Sequence, residues 1–174
     1  MNPLNVYDYL IRTRGIVLDA IRPLTPEQYT RPFPIGLSTI ASTLTHLMIS
    51  EWYYMQRFQS RTVPPYDQWP IHYEKPPAFT LVESQWREQM ASIRETIAAE
   101  TDWSRRLAFD SFPNEQGKRF HVSMTTGDLI AQLSLHEVHH RAQLMAMLRQ
   151  MGEGVKPIAD IDYGYLMFER TPFN

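Results

Sequence analysis

The sequence predicts an all-α protein: a four-helix bundle with one small β-hairpin and one long loop rich in proline and aromatic residues. Three observations lead there. Four long stretches repeat apolar residues at helical spacing. Capping residues, prolines and a glycine punctuate their ends. No internal repeat, low-complexity tract or change of composition divides the 174 residues, so the expectation is one domain over residues 1–174.

The first helix is expected from Pro3, suited to the first helical position, to Ile21, with Pro23 closing it. Val6, Leu10, Val17 and Ile21 keep its period. Thr25-Pro26-Glu27-Gln28 has the form of a capping box and predicts a short extra turn. The second long helix is expected from Ser38 as N-cap to Phe58. Ile40, Leu44, Leu47, Met48, Met55 and Phe58 form its main stripe. A second face carries Thr39, Ser42, His46, Ile49, Ser50 and Tyr53, so this helix is packed on two sides with room beside the His46 ring.

From Ser60 to Thr80, five prolines alternate with Tyr66, Trp69, His72, Tyr73 and Phe79. A loop of this length is either a lid or binding loop, or a cover for one end of the bundle. Thr80-Leu81-Val82-Glu83 reads as a second capping box opening a helix to about Glu100, with Val82, Trp86, Met90, Ile93 and Ile97 in register. Arg106–Phe109 and Arg119–Val122 are expected to pair as the hairpin. The last long helix starts at Thr125 or Thr126, has Asp128 in its first turn, and runs to Met151 before Gly152. The aromatic tail from Lys156 to Asn174 is expected to pack back on the bundle.

Composition narrows the chemistry. At 43% hydrophobic and 21% charged, the chain has an ordinary globular balance. It has no cysteine, which excludes disulfides, thiolate metal sites and a thiol nucleophile; any metal falls to the six histidines and the carboxylates. A net charge of −2 with scattered Lys and Arg gives no footprint for nucleic acid. With no signal-like apolar start and no spanning segment, a soluble cytoplasmic protein is expected.

The informative segment is His136-Glu137-Val138-His139-His140-Arg141-Ala142-Gln143. His136 and His140 are four apart, which stacks their imidazoles on one helical face as two ligands of one metal. Counting 100° per residue puts them in a stripe with Leu129, Leu133, Met147 and Met151, pointing into the core. His139 lies off that line, and His72 and His121 fall in the loop and the hairpin. His136-Glu137-x-x-His140 also spells the HExxH of zincin-like metallopeptidases, where the Glu activates water. Its context is poor: Ala146 stands where an extended motif has its third His, a downstream ligand would have to be Glu153 or Glu169, and the only sheet expected upstream is the one small hairpin.

As a set, His136-x-x-x-His140-Arg141-x-Gln143, the upstream Leu44-Thr45-His46, the Ser38-Thr39-Ile40 helix start, Glu51, and the Asp160-x-Asp162-Tyr163 tail resemble the DinB/YfiT-like family of metal-dependent enzymes over essentially the whole chain. The resemblance implies a bundle with non-consecutive helix order and a divalent-metal site at one end, held by His46, His136 and His140. Zinc is its default metal, with nickel, iron and manganese as alternatives. It also implies an enzyme acting on a small molecule, a low-molecular-weight-thiol S-transferase or a hydrolase, and a homodimer by analogy. The alternatives are a non-catalytic stress or binding protein whose metal is structural, and the zincin-like peptidase. Glu137 is either a general base, and then catalytic, or the partner of a nearby cation. Arg141 is expected to pair with Glu51, which sits in an apolar stripe and needs a cation.

Overall fold

The computed structural model describes residues 2–114, 116–152, 158 and 161–171. Its long helices are α1 (Pro3–Ile21), α3 (Ile40–Phe58), α4 (Phe79–Ala99) and α5 (Thr126–Met151). The short helices α2 (Pro26–Tyr29) and α6 (Tyr163–Met167) and the hairpin β1 (Arg106–Asp110) and β2 (His121–Thr125) complete the order. α3 packs on α5, and α1 packs on both α4 and α5, so sequential helices are not always neighbours.

Most ends follow local chemistry. Asn2 accepts the Leu4 N–H to cap α1, and the Thr25–Gln28 capping box forms in both directions. Thr125 and Asp128 form a second capping box at α5. Two expected caps do not form. Ser38 lies at φ 71° in a tight turn, and Thr39 takes its place, its Oγ1 accepting the Ser42 N–H at 2.9 Å. α4 begins at Phe79 after Ala78 with no side-chain cap. Its expected capping glutamate, Glu83, is held instead by Arg22 and Arg87. The hairpin pairs Arg106 with Thr125 and Asp110 with His121, two residues later on the second strand than expected. That strand runs straight into the α5 cap, because Thr125 ends one element and caps the next.

The core has two apolar halves. One gathers Leu18, Ile21, Ile40, Leu44, Trp86, Leu144 and Met147. The other gathers Tyr7, Leu10, Met55, Phe58, Ile97, Leu129 and Leu133. Between them, at mid-height on α1, α3 and α5, lie Arg14, Glu51, Glu137 and Arg141, all buried. In the tail, Tyr9 donates to the Ile161 carbonyl at 2.8 Å and meets the tilted Tyr163 ring at 5.1 Å, so α6 packs on α1 as expected. Glu153, Lys156 and Asp160 lie outside the described residues.

Candidate metal centre

α3 brings His46 to the two histidines that α5 presents one turn apart. The ring centroids of His46, His136 and His140 are 4.6 to 5.0 Å from one another. A nitrogen from each lies within 4.8 Å of the others, a group that can hold a metal ion. His46 Nε2 and His136 Nε2 are only 3.0 Å apart. Two imidazole nitrogens aimed at one point share either a proton or a cation, and ligands at the usual zinc–nitrogen distance stand about 3.3 Å apart in a tetrahedral site.

The neighbours fix the rings. Gln143 Oε1 lies 2.8 Å from His140 Nδ1 and its Nε2 lies 3.0 Å from His139 Nε2. An amide so placed accepts the Nδ1–H of His140 and leaves Nε2 as the lone-pair donor, the usual support for a ligating histidine. Gly36 makes that placement possible. It sits at φ +49°, and a Cβ there would overlap the Gln143 amide carbon at 2.6 Å. Tyr73 packs edge-on against His46 at 5.2 Å, and Tyr54 against His136 at 5.8 Å. Burial, and then the His140 charge beside it, pushes His46 down to about 4; burial and the neighbouring histidines do the same to His136, and burial also lowers His140. The three are therefore neutral at pH 7, the form that binds metal.

The imidazoles are half-buried rather than core residues. Leu129, Leu133 and Met147 of the expected stripe are buried, but between them the buried positions are Glu137 and Arg141, each one residue on from the expected His136 and His140. Helical counting favours the more apolar-looking track, and here charged residues occupy the true core line.

Those charges form one cluster. Arg14 donates to Glu137 through Nε at 2.8 Å and through Nη2, which also pairs with Glu51 at 2.6 Å. Tyr7, Trp86 and Gln89 donate to Glu51 at 2.9, 2.7 and 2.8 Å. Arg141 donates to Thr13 Oγ1 and to Tyr9 Oη, with Glu137 Oε1 3.8 Å away. The partner of Glu51 is thus Arg14, not Arg141, because Arg141 turns towards α1. Burial works against the Arg14 charge, yet Glu137 and Glu51 beside it hold its pKa well above the ordinary value; burial raises that of Glu137. Of the two roles open to Glu137, pairing with a cation is the one seen, and its carboxylate belongs to this buried cluster. Arg14 was missed in the sequence, although it interrupts the Tyr7, Leu10, Val17, Leu18, Ile21 stripe of α1 as Glu51 interrupts that of α3.

His139 is exposed, His72 contacts the Trp69 carbonyl, and His121 contacts Asp110. None of them joins the three-histidine group.

The family model for DinB matches residues 1–168. The chain belongs to the DinB family. Among solved structures, a DinB-like protein from Bacillus cereus ATCC 10987 is similar with a TM-score of 0.59 at 16% identity, over 87% of this chain and 95% of that one, a likeness of fold. No curated protein matches the chain. No described helix of this DinB protein is long and apolar enough to cross a membrane.

Proposed function

We propose that this DinB protein is a metal-dependent enzyme acting on a small molecule, as a low-molecular-weight-thiol S-transferase or a hydrolase, with His46, His136 and His140 as the metal ligands. One observation carries the reading: three neutral imidazoles converge, without a fourth protein ligand among the described residues, at a half-buried position rather than a sealed one. Structural sites close their coordination with protein; catalytic ones leave a position for substrate. A divalent cation held there, zinc by default, supplies Lewis acidity to a coordinated group.

The chain's own residues bind and orient. Gln143 sets the His140 ring, while Tyr54 and Tyr73 wall the imidazoles and keep water from their flanks. With no cysteine in the chain, any thiol must arrive with the substrate. A cytoplasmic location and a homodimer belong to the same proposal. Nothing favours the peptidase reading, since Glu137 is bonded to Arg14 and the hairpin supplies the only described strands.

The test is metal analysis of untagged protein beside the His46→Ala, His136→Ala, His140→Ala triple variant, with turnover screened against several thiols and esters. One divalent ion per chain in the wild type, none in the variant, and metal-dependent turnover are expected. Stoichiometric metal without turnover, and a large loss of melting temperature on chelation, would instead favour a structural metal that pins α3 to α5.

A further inference from the structure

Residues 46, 50, 53 and 57 recur at steps of four, three and four, so they form one line along α3. The line begins at a metal-site imidazole and ends at a guanidinium. An unbroken wall of rings joins the two. Tyr66 links Tyr73 to Trp69 at 6.1 and 5.0 Å, and Trp69 stacks on Tyr53 at 5.8 Å with 27° between planes. Tyr54 closes the circuit between Tyr53, at 5.6 Å, and His136. All these rings are half-buried rather than sealed in the core.

Arg57 stands at the far end. Its guanidinium carbon lies 4.4 Å from the Phe109 centroid, 5.2 Å from Tyr53 and 5.9 Å from Phe112. The other arginines that are not exposed, Arg14, Arg105 and Arg141, each face a carboxylate. Arg57 faces none among the described residues. Among the described residues its Nε–H is shut off from solvent without an acceptor, and its two terminal nitrogens make no hydrogen bond. Rings against the faces of a guanidinium leave its terminal Nη edge for an in-plane ligand, and that edge matches an oxyanion.

We propose that Arg57 is an oxyanion subsite, and that the substrate carries a carboxylate or phosphate at the end remote from its metal-binding group. The far end of this ligand rests on Arg57, and the near end rests on the metal reading above. Tyr53, under the guanidinium, is two turns from His46, so the ligand spans about 10 Å along the ring wall. An arginine on a helix leans back towards the N-terminus, here towards the imidazoles.

The shielded Nε–H is a direct probe. In metal-free wild-type protein labelled with ¹⁵N, acetate and inorganic phosphate are titrated at constant ionic strength against chloride while the Arg57 Nε–H resonance is followed. A saturable shift with one oxyanion and none with chloride is expected, and the stronger of the two names the group. With zinc bound, 6-mercaptohexanoate is expected to bind at least about tenfold tighter than hexanethiol, an advantage that Arg57→Gln and Arg57→Lys reduce. No saturable shift with either anion, together with equal affinity for the two thiols, would overturn the subsite. The anion titration needs no metal and no variant. A protein that binds oxyanion but no zinc therefore overturns the metal reading alone.

Discussion

α5 carries two polar clusters side by side, built from adjacent residues by opposite rules. Glu137 and Arg141 face inward: Arg14 donates to Glu137, Arg141 donates to Thr13 and Tyr9, and Tyr7 and Trp86 donate to the neighbouring Glu51. Among the described residues Glu137 Oε1 has no hydrogen bond and lies 3.8 Å from Arg141. His136 and His140, each one position earlier, stay half-buried and meet His46 with their ring nitrogens converging, two of them 3.0 Å apart. The first cluster is closed: two arginines and two glutamates balance within it. The second is neutral and coordinatively open. The difference teaches where stability and chemistry reside, because a network of paired charges resists change while a set of converging neutral imidazoles recruits a ligand.

The largest expected effect breaks the closed cluster. Arg14→Met strands Glu51 and Glu137 without their cation, and removing one partner of a buried pair costs about 3–5 kcal/mol. Urea denaturation should show that loss in metal-free protein. A change under 1 kcal/mol would mean that the carboxylates carry protons instead. Next is Glu137→Gln, which keeps the shape but removes a charge. It is expected to lower stability by about 1–3 kcal/mol while metal stoichiometry is unchanged. If stability and metal are kept but turnover disappears, Glu137 acts in catalysis and the boundary between the clusters is drawn in the wrong place.

How much of this was legible follows the same division. The helices announced themselves through apolar spacing, and α1 and α5 lie within a residue of their expected ends, because Pro3, Thr125 and Gly152 act locally. Thr80 and Ser38 misled for a tertiary reason and a local one: Glu83 is claimed by two arginines, and Ser38 is bent into a left-handed turn. His136 and His140 stood out by spacing, whereas His46 needed the family pattern, since nothing local on α3 marks it. The charge cluster was half visible. Glu51 declared a need for a cation, but an isolated sequence does not say which arginine crosses the core to meet it.

A middle-sized effect sharpens the open side. Gln143→Ala frees the Nδ1–H of His140 and should weaken zinc binding by about 10- to 100-fold with little change in metal-free stability. Gly36→Ala, pressing on the same amide, should act in the same direction by competition titration. Acidification adds a signed test. His46 and His136 sit near 4 when folded and metal-free, against an ordinary 6.5, so the unfolded chain binds more protons between those values. Metal-free stability should therefore fall as pH drops from about 6.5 towards 4, and zinc affinity should fall across the same span as protons compete for the imidazoles. A metal-free melting temperature that is flat over this range would contradict the neutral, crowded cluster.

The smallest expected effect is the most telling about separation. Replacing His46, His136 and His140 together by alanine removes half-buried rings that make few obligatory hydrogen bonds with one another. Metal-free stability should then change by about 1 kcal/mol or less, and relief of the crowding offsets part of the lost packing. The same replacement should abolish the stabilisation that zinc gives the wild type, which grows with the logarithm of free metal above its dissociation constant. If the metal-free triple variant instead lost as much as Arg14→Met, the imidazoles would be holding α3 to α5 by themselves. The open cluster would then be a structural joint, with the metal reinforcing a contact that already exists.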